Sequence, residues 1–201
     1  MKHVFVETNF FIDVLRPFPI PEAERLLGRH GTDLQLYVPW CSITEAKRTI
    51  ERIIREDLAF VDGAGRFYRR LNDRHRGNPN QPVDLTQIRG FIDIARTVRR
   101  DALFDLVAQV DGLAARLNVI PPSPAVIQRT LRIFPVKSLP PFDEMVLGAV
   151  LEHAEMLHAR GETELFFCNL NAKDFAPKTG NELGNAYAAS GLRYLDSFQV
   201  P

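Results

Sequence analysis

The sequence predicts an α/β fold, with a central, mostly parallel sheet covered by helices on both faces. Three observations point there. Short apolar or alternating runs at 4–6, 34–38, 118–120, 165–168 and 192–195 have strand length and, in the main, strand composition. Stretches with apolar residues at helical spacing separate them, and strands alternating with helices build a parallel sheet buried on both sides. Gly, Pro and Asn cluster at many of the junctions, where the chain must turn.

The elements follow in order. Val4-Phe5-Val6 reads as a buried strand ending at Glu7. Residues 10–15 read as a short helix closed by Pro17, Pro19 and Pro21. Pro21 suits the first turn of a second helix over 22–29, with Gly31 beyond its end. Residues 34–38 alternate as a second strand and stop at Pro39. Ser42 is expected to open a helix whose Ile43, Ala46, Ile50, Ile53, Ile54 and Leu58 form one apolar face. Residues 60–72 are expected to be helical too, 73–82 a loop, and 86–117 one or two helices with Gly90 and Gly112 as weak points. Residues 118–120 make a third strand before Pro121-Pro122, and Ser123 caps a helix to about 132. Another helix starts at Phe142-Asp143-Glu144 and stops at Gly161. The run 165–168 is the clearest strand. A helix over 182–189 and a strand over 192–195 complete the sheet.

Composition narrows the function classes. Apolar residues make up 45% and charged residues 25% of the 201, an ordinary globular mix that can bury a core without disulfides. Cys41 and Cys168 sit in apolar runs and read as buried free thiols. The five histidines form no ligand motif and are expected mostly on the surface. No apolar stretch is long enough to span a bilayer and the N-terminus is no signal peptide, so a cytoplasmic location is expected. Net charge is zero but unevenly spread. Residues 48–100 carry 12 arginines against 7 acids, and residues 101–201 carry 8 basic against 12 acidic side chains. Arginine presents a planar fork of donors that matches phosphate oxygens. The alternative is a solvated helical face with local ion pairs.

In open α/β sheets, sites form outside the carboxyl ends of the strands. Glu7 follows the first strand and Asn169 and Asn171 follow the fourth, while Glu45 and Asp143 fall in the expected first turns of helices that start on the same rim. Converging carboxylates repel one another, and a divalent cation relieves the conflict. Each residue also has a structural reading. Ser42-x-x-Glu45 is a capping box, Asp143 a helix cap, Glu7 an edge carboxylate paired with an arginine, and Asn169, Asn171 and Asp174 turn residues.

Four blocks resemble the PIN-domain family in that family's order. Val4-Phe5-Val6-Glu7-Thr8-Asn9-Phe10-Phe11-Ile12-Asp13 resembles its opening strand, acid, small residue and Asn. Val38-Pro39-Trp40-Cys41-Ser42-Ile43-Thr44-Glu45 resembles its strand and proline before a helix bearing Glu. Pro141-Phe142-Asp143-Glu144-Met145-Val146-Leu147-Gly148-Ala149 resembles its Asp opening an Ala-rich helix, and Phe166-Phe167-Cys168-Asn169-Leu170-Asn171-Ala172-Lys173-Asp174-Phe175 its last strand and polar turn. The resemblance implies a single PIN-like three-layer α/β/α domain over 1–201, with an added helical segment at about 60–115. It also implies a Mg²⁺- or Mn²⁺-dependent ribonuclease, in many members the toxin of a toxin–antitoxin pair, leaving a 5′-phosphate and a 3′-hydroxyl. A small antitoxin partner and a homodimer are implied with it. Carried over, Glu7, Glu45 and Asp143 are the metal ligands, Asn171 takes the position often held by a fourth Asp, and Asn9 and Asp174 support the site. Two residues depart from the pattern: Glu7 stands where the family usually has Asp, and Asn171 lacks a charge.

The first reading is therefore metal-dependent cleavage of RNA, with Arg66, Arg69, Arg70, Arg74 and Arg76 holding the backbone. Phe60, Phe67, Tyr68 and Phe91 are expected to pack the helices, with base stacking as the alternative. The second reading is a catalytically weak or inactive PIN-like scaffold that binds RNA or protein. A phosphatase of the Asp-nucleophile type needs two aspartates bracketing one residue after the first strand, where this chain has Glu7-Thr8-Asn9.

Overall fold

The structure is a computed structural model that describes residues 1–16, 18–75, 86–133, 139–177 and 182–201. Pro17, Arg76 and most of the expected 73–82 loop lie outside the described residues. The chain divides into two compact units, one of residues 1–46 with 109–201 and one of residues 47–108. Among the described residues, no helix is long and apolar enough to cross a membrane.

The first unit carries the sheet. Its strands are β1 (Lys2–Phe5), β2 (Leu34–Pro39), β3 (Asn118–Ile120), β4 (Leu165–Cys168) and β5 (Leu192–Leu195). They lie in the order β3-β2-β1-β4-β5, and every pairing is parallel. All carboxyl ends therefore meet on one rim. The chain adds β2 and β3 on one side of β1, then returns to place β4 and β5 on the other. Right-handed crossovers in opposite directions put helices on opposite faces, and the order reverses between β1 and β4.

The helices are α1 (Thr8–Leu15), α2 (Pro21–Arg29), α3 (Trp40–His75), α4 (Thr86–Ala114), α5 (Pro124–Ile133), α6 (Pro141–Ala159), α7 (Ala172–Phe175) and α8 (Glu182–Ala189). The expected strands at 118–120, 165–168 and 192–195 and the helix at 182–189 match in full. Ser123 caps α5 as expected, its hydroxyl accepting the Val126 N–H at 3.2 Å. Several boundaries differ: β1 covers 2–5 rather than the expected 4–6, and α1 starts at Thr8 rather than at residue 10. Residues 42–58 and 60–72 belong to one continuous helix, because no Gly or Pro strong enough to break it falls between them. That helix opens at Trp40, not Ser42, since Pro39 still pairs with Ile120 in the sheet and the next residue is already helical.

Side-chain alternation splits the strands between two cores. Tyr37, Phe5, Phe167 and Tyr194 stand in register as one row across four strands. This row packs against Val146, Leu147 and Val150 of α6 and Leu183 and Tyr187 of α8. Phe5 lies 5.4 Å from Tyr37, and Phe167 lies 6.2 Å from Tyr194, centroid to centroid. Leu36, Val4 and Phe166 form the alternate row, buried on the opposite face, and Phe10, Phe11, Ala23 and Leu26 of α1 and α2 are buried as well. Cys41 and Cys168 are buried free thiols, as expected, and burial pushes both up to about 12. The histidine expectation is corrected. His3 is buried, with Nδ1 3.1 Å from the Tyr37 hydroxyl and Nε2 3.2 Å from the Glu162 carboxylate, and of the other described side chains only His158 is exposed.

In the second unit, the distal part of α3 and most of α4 are tied by Arg96–Asp62 at 3.0 Å and Arg99–Asp57 at 3.3 Å, with Ile92 buried. The packing expected of Phe60, Phe67 and Phe91 is overturned. They are 78%, 57% and 73% exposed, because Gly65 and Ile92 already fill the contact that close helices allow.

Helices α5 and α6 approach closely at Gly148. A Cβ there would run into the Thr130 hydroxyl and lie 3.0 Å from the Thr130 Cα and N. Thr130 is held by its own bond to the Val126 carbonyl at 2.9 Å, so it has little room to yield. Gly148→Ala is expected to destabilise the fold by about 1–3 kcal/mol through overpacking. Urea denaturation of the variant checks this, and an unchanged midpoint would show the contact to be soft.

Candidate functional site

The rim at the carboxyl ends of β1, β2 and β4 gathers polar side chains from remote parts of the chain. Glu7 leaves β1 and serves as the N-cap of α1, its Oε2 accepting the Asn9 N–H at 3.0 Å. Its other oxygen, Oε1, is buried with no hydrogen-bond partner among the described residues. Burial is the largest cause raising the Glu7 pKa from 4.5 to about 7. Hydrogen bonds from Asn9 oppose this, while the charges of Glu45 and Asp143 push the same way. Three carboxylates far apart in sequence thus share one electrostatic neighbourhood. Glu7 follows the central strand and feels the charges of two acids, so its reading as an edge carboxylate with an arginine partner is overturned.

Glu45 does not close a capping box. The early start of α3 places it in the second turn, and its Oε2 instead accepts the Thr8 hydroxyl at 2.5 Å. Thr8 also reaches the Ser42 carbonyl at 3.4 Å, and the Ser42 hydroxyl is buried without a partner among the described residues. Asp143 is the third residue of α6, and the cap is Pro140, so its reading as the cap is overturned. Helix α6 leads into the amino end of β4, which sets its own start on the carboxyl rim. Asp143 thus lies in the first turn of α6, at the positive end of the helix dipole.

Beyond β4, Asn169 is buried and Asn171 caps the short α7. The Asn171 N–H donates to Asn169 Oδ1 at 2.7 Å, and the Asn171 amide donates to Asp174 Oδ2 at 2.9 Å. The Tyr194 hydroxyl donates to the Asn169 carbonyl at 2.7 Å. Burial first, then the nearby charges of Asp196 and Glu7, push Tyr194 up to about 12. Tyr194 thus joins the turn after β4 by a hydrogen bond and feels the charge of Glu7. Among the described residues, the buried polar side-chain atoms without hydrogen-bond partners are Glu7 Oε1, Ser42 Oγ, Asn169 Nδ2 and His3 Nε2, and the last lies beside Glu162. The other three all follow strand ends on this rim.

Thr8 and Tyr194 are the residues that sequence reasoning missed. A hydroxyl next to the first acid is a signal, but its bond to Glu45 spans 37 residues. Tyr194 shows only once the register of β5 is known.

The donor set is all oxygen and nitrogen, with carboxylates foremost, which suits a hard cation such as Mg²⁺ or Mn²⁺. The unpartnered Glu7 Oε1 supplies an acceptor for one. Among the described residues no group of three or more His, Cys, Asp or Glu side chains is gathered closely enough to enclose a metal ion. An ion bound here would therefore have to keep several of its waters.

The expected RNA-binding arginines lie apart in sequence from these acids, in the second unit. Arg66, Arg69, Arg70 and Arg74 are exposed on α3, and Arg66, Arg69 and Arg70 share one open surface. Arg76 lies outside the described residues. A cavity of about 360 Å³ in that unit is lined by Tyr68, Arg69, Asn72, Arg89, Asp93 and Arg96, among others. It is not an acid site, since Asp93 is already engaged by Arg96 at 3.0 Å.

No protein-family model and no curated protein matches the chain. Among solved structures, the chain is similar to FitAcB from Neisseria gonorrhoeae at 10% identity and a TM-score of 0.44, covering 95% of each chain. A likeness that remote carries no argument about this chain.

Glu7 binds its proton more tightly in the folded chain than in the unfolded one. Its contribution to stability is therefore full below pH 4.5 and is lost as the pH rises to about 7. With EDTA present, that loss is expected to be on the order of 3 kcal/mol. Glu7→Gln should flatten this part of the profile in denaturant titrations between pH 4 and 8, and an equally steep fall in the variant would assign it to other groups.

Proposed function

We propose that this chain is a metal-dependent ribonuclease that hydrolyses RNA phosphodiester bonds at the carboxyl rim of its sheet. One observation carries the reading. Glu7 is buried at the end of the central strand with one oxygen unpartnered, in the field of Glu45 and Asp143. The four motifs that resemble PIN domains put the same three residues in the acidic set.

Glu7, Glu45 and Asp143 are the residues that would hold Mg²⁺ or Mn²⁺. When bound, such an ion supplies an activated water and stabilises charge developing on the phosphate. The chain's own groups prepare the rim. Asn9 fixes one oxygen of Glu7, and the other has no hydrogen-bond partner among the described residues. Thr8 fixes one oxygen of Glu45. Asp174 orients the amide of Asn171, which sits where the family often has a fourth Asp. The exposed arginines of α3 are the groups to bind the RNA backbone. By the same resemblance, a small antitoxin protein and a second copy of the chain are the partners to seek.

The second reading is a scaffold that binds RNA or protein without cutting. The open arrangement of the acids and the engagement of Asn171 with Asp174 favour it.

Structured RNA with Mn²⁺ decides between them. Asp143→Asn is expected to lower cleavage at least 100-fold while the circular dichroism spectrum stays unchanged, and equal cutting by the variant excludes Asp143 from the site. RNA binding that persists in EDTA, with no cleavage in Mg²⁺ or Mn²⁺, selects the scaffold.

Replacing Arg66, Arg69 and Arg70 together with Ala should weaken RNA binding at every sequence tested. It should also lower the slope of log affinity against log salt by about two to three. An unchanged slope would place the RNA elsewhere.

A further inference from the structure

We infer that the groove between α3 and α4 binds a nucleoside phosphate, with Arg69 and Arg89 on the phosphate and Tyr68 against the base. Every residue that lines the groove belongs to the second unit, so the site stands whether or not the acidic rim cuts RNA.

The groove follows from spacing. Gly65, Tyr68, Arg69 and Asn72 recur on α3 at intervals of three, one and three, and Arg89, Ile92, Asp93 and Arg96 repeat that pattern on α4. Residues so spaced share one face of a helix. The helices come close at Gly65, where a Cβ would lie 3.5 Å from Ile92 Cγ2. Beside that contact the two faces leave a cavity of about 360 Å³. Sites for small organic ligands have about this size, on the order of 300–1,000 Å³. A lone inorganic anion would leave most of it empty.

The lining selects the ligand. Three arginines and one aspartate border the cavity. Arg96 is already engaged, with Nε on Asp62 at 3.0 Å and a terminal nitrogen on Asp93 at 3.0 Å. Arg89 stands 3.9 Å from Asp93, beyond hydrogen-bond reach. Arg69 has no ion pair or hydrogen bond among the described residues. Both side chains are exposed, so a ligand reaches them from solvent. Two guanidinium groups at one cavity call for an anion, and their planar forks match the oxygens of a phosphate. The remaining walls are of another kind. Tyr68 is half-buried and offers an aromatic ring, on which a base can stack. The Asn72 amide, also without a partner among the described residues, offers a donor and an acceptor to a base edge. A simple carboxylate would satisfy the arginines and leave the ring and the amide unused. A nucleotide uses all of them. It is either free in solution or one residue of an RNA strand, and both present the same phosphate, sugar and base.

The test is titration calorimetry of the full chain in EDTA, which removes any cation that could hold phosphate at the rim. The probes are adenosine and uridine 5′-monophosphate, inorganic phosphate, and a 5′-phosphorylated oligoribonucleotide. Arg89→Ala and Tyr68→Leu are each expected to weaken nucleotide binding by about tenfold or more. Arg100→Ala removes the same charge from an exposed position on α4 outside the groove, and is expected to weaken it by less than about twofold. Circular dichroism checks that each variant keeps its helices, and Arg89→Ala decides alone if Tyr68→Leu does not. Binding of a monophosphate identifies a free nucleotide as the ligand. Binding of the strand alone, weakened by the same two substitutions, identifies a residue of RNA. Equal losses in Arg89→Ala and Arg100→Ala overturn the site, by reducing it to diffuse surface charge. Inorganic phosphate bound as tightly as the nucleotides also overturns it, because the base would then have no pocket. A wild type that binds none of the probes overturns it as well, and leaves cleavage at the rim to be judged by its own assay.

Discussion

The carboxylate of Glu7, buried at the end of the central strand, is the constraint around which the rim is arranged. Water cannot reach it freely, and desolvation alone raises its pKa more than any neighbour does. Asn9 supports one oxygen and nothing among the described residues supports the other. Glu45 and Asp143 then add repulsion where attraction would be needed. A structural role would favour a polar amide or a paired arginine here. The proposed cation would offset the repulsion among these three acids.

Topology brings this about, and local propensity does not. An all-parallel sheet sends every strand end to one rim, and the strand order reverses beside β1, the point at which such sheets place their ligand sites. The rim is also stiff. Tyr37, Phe5, Phe167 and Tyr194 cross the sheet as a packed aromatic row, and Tyr194 ends that row with its hydroxyl on the Asn169 carbonyl. Packing on α6 and α8 therefore reaches the polar groups directly, and a shift in the register of β5 would release the turn that carries Asn169 and Asn171.

The strands and most helix ends were legible because each carries its own local signal. Residues 165–168 are four apolar side chains before a polar turn, and residues 118–120 stop at two prolines. The order of the acids along the chain was legible too. The roles of single residues were less so. Ser42-x-x-Glu45 has the spacing of a capping box, yet the helix opens two residues earlier because the sheet continues through Pro39. Glu45 is then free to meet Thr8, 37 residues away, and no local pattern encodes that bond. Spacing read Phe60, Phe67 and Phe91 as packing residues. Two helices joined through glycine and ion pairs leave them outside.

Glu7 stands where the family that this sequence resembles usually has Asp, and its length has a physical consequence. As the N-cap of α1, this side chain uses one oxygen to hold the Asn9 N–H. Aspartate does the same with a shorter arm, which keeps its second oxygen close to the helix end. The extra methylene of Glu7 carries the second oxygen further from the backbone while the first stays bound. The carboxylate is thus displaced, not lost, and the distances among the rim acids shift with it. A rigid ion with few waters would be poorly served by such a change. An ion that keeps water in its shell absorbs it, since a water can bridge where an oxygen no longer reaches. In the proposed metal site, hydration of the ion would make up for both the open spacing of the acids and the longer first residue.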